Sequence, residues 1–100
     1  MVKHIVMWRL KDADDPAKQR AHAIAAKRSL EALAGQIEGL LSIEVGIDFV
    51  RDANSSDLVL CSEFTDRAAL AAYQAHPIHL AVAKRVREVA IERRMVDYET

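Results

Sequence analysis

Apolar positions alternate from Val2 to Leu10, placing Val2, His4, Val6, Trp8 and Leu10 on one face of a strand. Lys3, Ile5, Met7 and Arg9 take the other face. Both faces carry apolar residues, which suits a strand covered on two sides. The period then lengthens. Asp15-Pro16 supplies an N-cap and a first-turn proline, and no residue from Ala17 to Ala34 breaks a helix. Ala23, Ala26, Leu30, Leu33, Ala34 and Ile37 recur at spacings of three and four, with Gly35 where a C-terminal cap belongs.

Gly39 opens a second strand, LLSIEVGIDFV, whose apolar face is Leu41, Ile43, Val45, Ile47 and Phe49. The segment RDANSSD, Arg51 to Asp57, is turn chemistry. A third strand from Leu58 to Thr65 is expected antiparallel to the second, because the connection is short. Thr65 or Asp66 caps a short helix from Arg67 to Ala75, Pro77 interrupts, and a further helix runs from Ile78 to about Glu88. The last apolar run, Val89 to Tyr98, reads as a fourth strand, although Glu92, Arg93 and Arg94 spoil its pattern. The order β-α-β-β-α-β is a split βαβ arrangement of the α+β class, with four antiparallel strands and helices on one face. The other face leaves residues such as Ile5 and Met7, or their alternates, open to water. An apolar patch there predicts a homodimer in which two sheets pair.

Composition narrows the function classes. One hundred residues make a single domain, 1–100, and 51% hydrophobic with 29% charged residues excludes a disordered or collagen-like chain. Fourteen Lys and Arg against fifteen Asp and Glu remove the electrostatic reason to expect nucleic acid or an anionic membrane surface as partner. The lone Cys61 excludes an internal disulfide and any multi-Cys metal site. The longest stretch free of Asp, Glu, Lys and Arg is 16 residues, Ala68 to Ala83. That falls short of the roughly 20 apolar residues a membrane span needs. The start MVKH has no apolar stretch behind it that would form a secretory signal, so the cytoplasm is the expected location.

The same uncharged stretch holds the candidate chemistry, Tyr73-Gln74-Ala75-His76-Pro77-Ile78-His79. On a helix starting near Pro77, His79 shares a stripe with Val82, Ala83 and Val86 that should face the sheet. Tyr73 shares an inward face with Leu70 and Ala69, and His4 approaches from the first strand. Three readings compete. The histidines are partly buried and satisfied by backbone, with Tyr73 covering the core. Alternatively, a neutral histidine acts as general base while a tyrosine hydroxyl polarises a carbonyl. In the third, His76 and His79 bind a metal, but zinc needs further protein ligands that no motif here supplies. Elsewhere, His22 is expected in solvent and Cys61 packed. Ser55-Ser56 lacks a nucleophile elbow, and no glycine-rich phosphate loop is present.

The segments MVKHIVMWRLKD, GLLSIEVGIDF, LVLCSEFTDRAALAAYQAHPIH and VDYE resemble the stress-responsive α/β-barrel (Dabb) family over nearly the whole chain. The most specific element is the Tyr-x-x-His-Pro-x-His block ending at His79, supported by the His-Ile-Val opening at His4. The resemblance implies a ferredoxin-like monomer whose sheet packs on that of a second monomer, giving a dimeric α+β barrel. One plant branch of the family cyclises linear polyketides without a cofactor. Carried over by motif position, its base is His79 and its hydrogen-bond donor to the developing enolate is Tyr73. His4 and His76 would line the same pocket. Where that branch has another pocket histidine, this chain has Leu58. Trp8, read from the pattern alone as core or interface, joins His4, His76 and Leu58 as a candidate ligand-lining residue.

Two function classes follow. One is a small dimeric protein holding a small organic ligand beside Tyr73, His76 and His79 without catalysis. The alternative is a cofactor-free cyclase, isomerase or lyase that abstracts a proton next to a carbonyl, with Tyr73 and His79 catalytic. A cofactor-free monooxygenase rests on fold analogy alone. Neither metal nor organic cofactor is expected.

Overall fold

The computed structural model describes residues 1–100. Strand β1 spans Val2–Leu10 and helix α1 Pro16–Glu31; β2 is Leu40–Ile47 and β3 Leu58–Phe64. Helices α2, Arg67–Ala75, and α3, Pro77–Val89, precede β4, Ala90–Glu99. The strands form one sheet in the order β2-β3-β1-β4, each neighbouring pair antiparallel. This is the ferredoxin-like β-α-β-β-α-β arrangement expected from the sequence, with its second helix divided at Pro77. The residue before a proline is driven out of the helical region. His76 accordingly has φ −69° and ψ 132°, closing α2 and capping α3.

Central strand β1 sets the layers. Val2, His4, Val6, Trp8 and Leu10 are all buried beneath the helices. The antiparallel register pairs Val2 with Phe64, Val6 with Leu60 and Trp8 with Leu58, so the alternating residues of β3 join them. Ala23, Ala26 and Leu30 of α1, Leu70 and Tyr73 of α2, and Val82 and Val86 of α3 close this core from above. Each large aliphatic among them contributes about 1.5–3 kcal/mol by leaving water. The monomer is therefore held from the helical side of the sheet.

Where the fold departs from the sequence reading, side-chain hydrogen bonds or tight turns are the cause. Helix α1 stops at Glu31 rather than Ala34, because Leu33 and Ala34 donate to Leu30 and Glu31, tightening the last turn before Gly35 at φ +75°. Strand β2 ends at Ile47 rather than Val50. Asp48 accepts the Arg51 amide at 2.7 Å and turns the chain, leaving Phe49 92% exposed instead of in the apolar row. A register shift between Leu40 and Ser42 likewise puts Leu41 into solvent. At the start of β2, Gly39 has φ +84°, and a Cβ there would stand 2.5 Å from Cβ of Ala69. Only glycine lets α2 pack so closely.

Cys61 is exposed, not packed as expected, because β3's phase sets it between Ile5 and Glu44 on the helix-free face. His22, expected in solvent, is half-buried, with Nε2 2.8 Å from Oδ2 of Asp12. The outer edge of β2 is occupied. Glu31 accepts the Val45 amide at 3.0 Å, and Lys27 donates to the Val45 carbonyl. The helix-free face carries Ile5 and Met7 of β1, with Val96 and Tyr98 of β4 on the same side by register. Only 20 of 100 residues are buried, and Met7, Val96 and Tyr98 stand exposed on this face. No helix is long and apolar enough to cross a membrane.

Candidate functional site

A cavity of about 240 Å3 lies between the sheet and the helices. That is several times the roughly 30 Å3 that one water takes in the liquid. Strand β1 presents His4, Val6 and Trp8 to it, since alternate residues share a face. Helix α2 supplies Tyr73. Helix α3 supplies His79, Ala83, Val86 and Arg87, a stripe at helical spacing that begins in the first turn after Pro77. Leu30, Leu60 and Arg93 complete the wall.

The rings of Tyr73 and His79 lie 4.1 Å apart between centroids, tilted by 39°. Tyr73 also packs on Phe64 at 4.9 Å and meets the His4 ring edge-on at 6.3 Å. Tyr73 is wholly buried, yet its hydroxyl has no hydrogen-bond partner, and neither does buried Nδ1 of His79. Buried polar atoms are nearly always paired, and leaving one unpaired costs about 1–3 kcal/mol. Both atoms belong to residues that line the same cavity.

Burial also sets their charge. It pushes the Tyr73 phenol up to about 12, with Arg93 pulling weakly the other way, so the group remains a neutral donor. Burial lowers His79 below the ordinary histidine value. The Gln74 backbone opposes that shift without meeting Nδ1 in a well-formed hydrogen bond, while His4, Arg93 and Arg87 reinforce it. The result is a neutral imidazole beside a neutral phenol. A lone pair that can take a proton sits next to an O–H that can follow charge onto oxygen.

His4 is buried and carries its own carboxylate. The register sets Asp97 of β4 opposite it, and Oδ1 of Asp97 hydrogen-bonds Nδ1 of His4. That contact fixes Nδ1 as the protonated nitrogen and holds the ring against Tyr73 and Phe64.

His4, Trp8, Tyr73 and His79 thus meet around one cavity. Two other candidates do not. His76 turns its Nδ1 to the Ile78 amide at 3.1 Å, capping α3, and does not line the cavity. Leu58 is buried on the rung paired with Trp8, and Leu60 takes the wall position on β3. Charged residues from outside the uncharged stretch also reach the pocket. Arg87 and Arg93 line it, and Asp97 stands behind His4. These three lie outside the uncharged stretch from Ala68 to Ala83. Pairing the alternation of β4 with that of β1 would have shown Arg93 and Asp97, and helical spacing from Ala83 would have shown Arg87. No group of three or more His, Cys, Asp or Glu side chains is disposed to hold a metal ion.

The family profile described as the stress responsive A/B barrel domain (Dabb) matches residues 2–100. No curated protein matches. A dimeric protein of unknown function with a ferredoxin-like fold from Bacteroides fragilis shares 32% identity, with TM-score 0.86 over 99% of this chain and 95% of its own. A Dabb family protein from Mesorhizobium loti shares 26% identity, with TM-score 0.73 over 99% and 95%. A cofactor-independent oxygenase from Streptomyces nogalater, at 15% identity and TM-score 0.74 over 99% and 91%, is similar in fold alone.

Proposed function

Because the chain belongs to the stress responsive A/B barrel (Dabb) family, we propose that it works as a homodimer whose subunits each hold a small organic ligand beside Tyr73 and His79. The observation that carries the ligand reading is the pair of buried, unpartnered polar atoms, Tyr73 Oη and His79 Nδ1, in residues lining one cavity. The dimer reading is supported by the exposed apolar residues of the helix-free sheet face and by the dimeric Bacteroides fragilis relative. A single subunit leaves Met7, Val96 and Tyr98 in water, and a second sheet laid over them would remove that exposure.

A catalytic reading gains from the charge states. His79, held neutral, is suited to take a proton from a carbon next to a carbonyl. Tyr73 is suited to donate to the oxygen on which the charge collects. The step needs no redox partner: the C–H bond breaks, its electrons pass to oxygen as an enolate, and the proton rests on His79. The electrophile the enolate then attacks, or the carbon that recovers the proton, decides between cyclase, isomerase and lyase outcomes.

Exchange of the protons beside the carbonyl of phenylacetone for solvent deuterium, followed by NMR, tests the catalytic reading. The intact protein should accelerate exchange over buffer, and His79→Ala should lower the rate by at least about 100-fold. Exchange no faster than in buffer leaves binding alone. Saturable binding of phenylacetone at Tyr73 and His79 tests the ligand reading separately.

A further inference from the structure

Arg87 and Arg93 line the cavity, and neither guanidinium is paired with a carboxylate. Arg9, Arg67 and Arg94, by contrast, are each matched to a glutamate. Arg93 meets only the Met95 sulfur, at 3.3 Å. No acidic side chain lines the cavity, and the nearby Asp97 is engaged by His4. Both arginines are otherwise exposed, so they stand where the cavity opens to solvent. The fully buried hydroxyl of Tyr73 lies unpartnered within.

We propose that the cavity takes a small organic carboxylate, its anionic end gripped by Arg87 and Arg93 and its other polar end reaching Tyr73 and His79. This rests on the reading of the cavity as a ligand site and adds the chemical class of the ligand. A planar carboxylate matches the guanidinium fork with charge-assisted hydrogen bonds. The walls of Val6, Trp8 and Leu60 ask for an apolar body between the two polar ends, which a bare inorganic anion lacks. For a ligand that is also enolised, the class becomes an oxo acid with its ketone at the Tyr73 end. Both arginines already act on His79 to disfavour its protonation, and a bound carboxylate would offset them.

The test compares benzoate with benzamide, its neutral counterpart of the same shape, on full-length protein labelled at histidine. His79 imidazole signals are followed by NMR. Benzoate should shift them saturably, raise the titration midpoint of His79, and bind about tenfold or more tighter than benzamide. The double variant R87Q/R93Q, altering two exposed side chains, should reduce benzoate to the affinity of benzamide. Equal binding of the two compounds at His79, or benzoate affinity unchanged in the double variant, overturns the carboxylate inference and leaves the ligand site standing. Inorganic phosphate reaching His79 as tightly as benzoate overturns it in favour of a bare oxyanion site. Neither organic compound reaching His79 while phenylacetone does overturns the carboxylate inference alone, and failure of all three overturns both readings.

Discussion

Tyr73 and His79, six residues apart across the break at Pro77, bring their rings to 4.1 Å between centroids, and each keeps one buried polar atom without a partner. An uninterrupted helix would turn these two residues to different faces. The proline break redirects the second helix so that both line one cavity. The candidate site and the helix break therefore fall at the same point of the chain.

Removing the hydroxyl while keeping the ring separates its roles. Tyr73→Phe should leave stability unchanged or raise it by about 1 kcal/mol, because an unsatisfied buried group is removed. Ligand affinity or turnover should fall. Urea denaturation reads the first effect, and a loss of more than about 1 kcal/mol would mean that the hydroxyl is paired within the protein.

His79 predicts a pH dependence with a definite sign. Its folded value lies below the 6.5 of an ordinary histidine. As pH falls below 6.5 the unfolded chain takes up the proton first, so stability present above that value is lost as pH falls through the lowered folded one. Urea midpoints should drop on acidification, and His79→Gln should flatten that drop. If His79 is the base, the acid limb of the kcat/KM profile should fall below pH 6.5 rather than above it.

Asp97 holds the buried ring of His4 through Nδ1. Asp97→Ala leaves a buried imidazole nitrogen unpaired and should cost about 1–3 kcal/mol in denaturant unfolding. Asp97→Asn, which retains an acceptor, should recover most of that stability. If the contact orients His4 toward the ligand, affinity should fall in Asp97→Ala and recover in Asp97→Asn; affinity unchanged in Asp97→Ala would mean that it serves stability alone.

The sheet face gives a test independent of the cavity. Val96→Asp places a charge where the second sheet is to pack and should convert a species of twice 11.2 kDa into one of 11.2 kDa in sedimentation. Wild-type protein sedimenting as a monomer at micromolar concentration would contradict the homodimer.

The element order and sheet side were legible because they depend on periods. Alternation in β1 set His4 beside Val6 and Trp8, and the 3.6-residue stripe of α3 turned His79 inward with Val86. What escaped were contacts between distant segments. Asp97 reaches His4 only through the β1–β4 register, and Arg93 joins the cavity by the same pairing. His76 looked like a pocket residue because it lies within the motif, but the residue before a proline is extended and free to cap, and its ring takes that task. Phe49 fitted the apolar row of β2 until Asp48 bound the Arg51 amide and ended the strand.

A small organic ligand is expected in the cavity that Tyr73 and His79 line together. The most direct measurement is nuclear Overhauser contact between phenylacetone and the aromatic protons of full-length protein at saturating ligand. Contacts to the Tyr73 and His79 rings are expected, with affinity weakened about tenfold in Tyr73→Phe by loss of one hydrogen bond. Contacts confined to the helix-free sheet face, or binding that does not saturate, would contradict this placement.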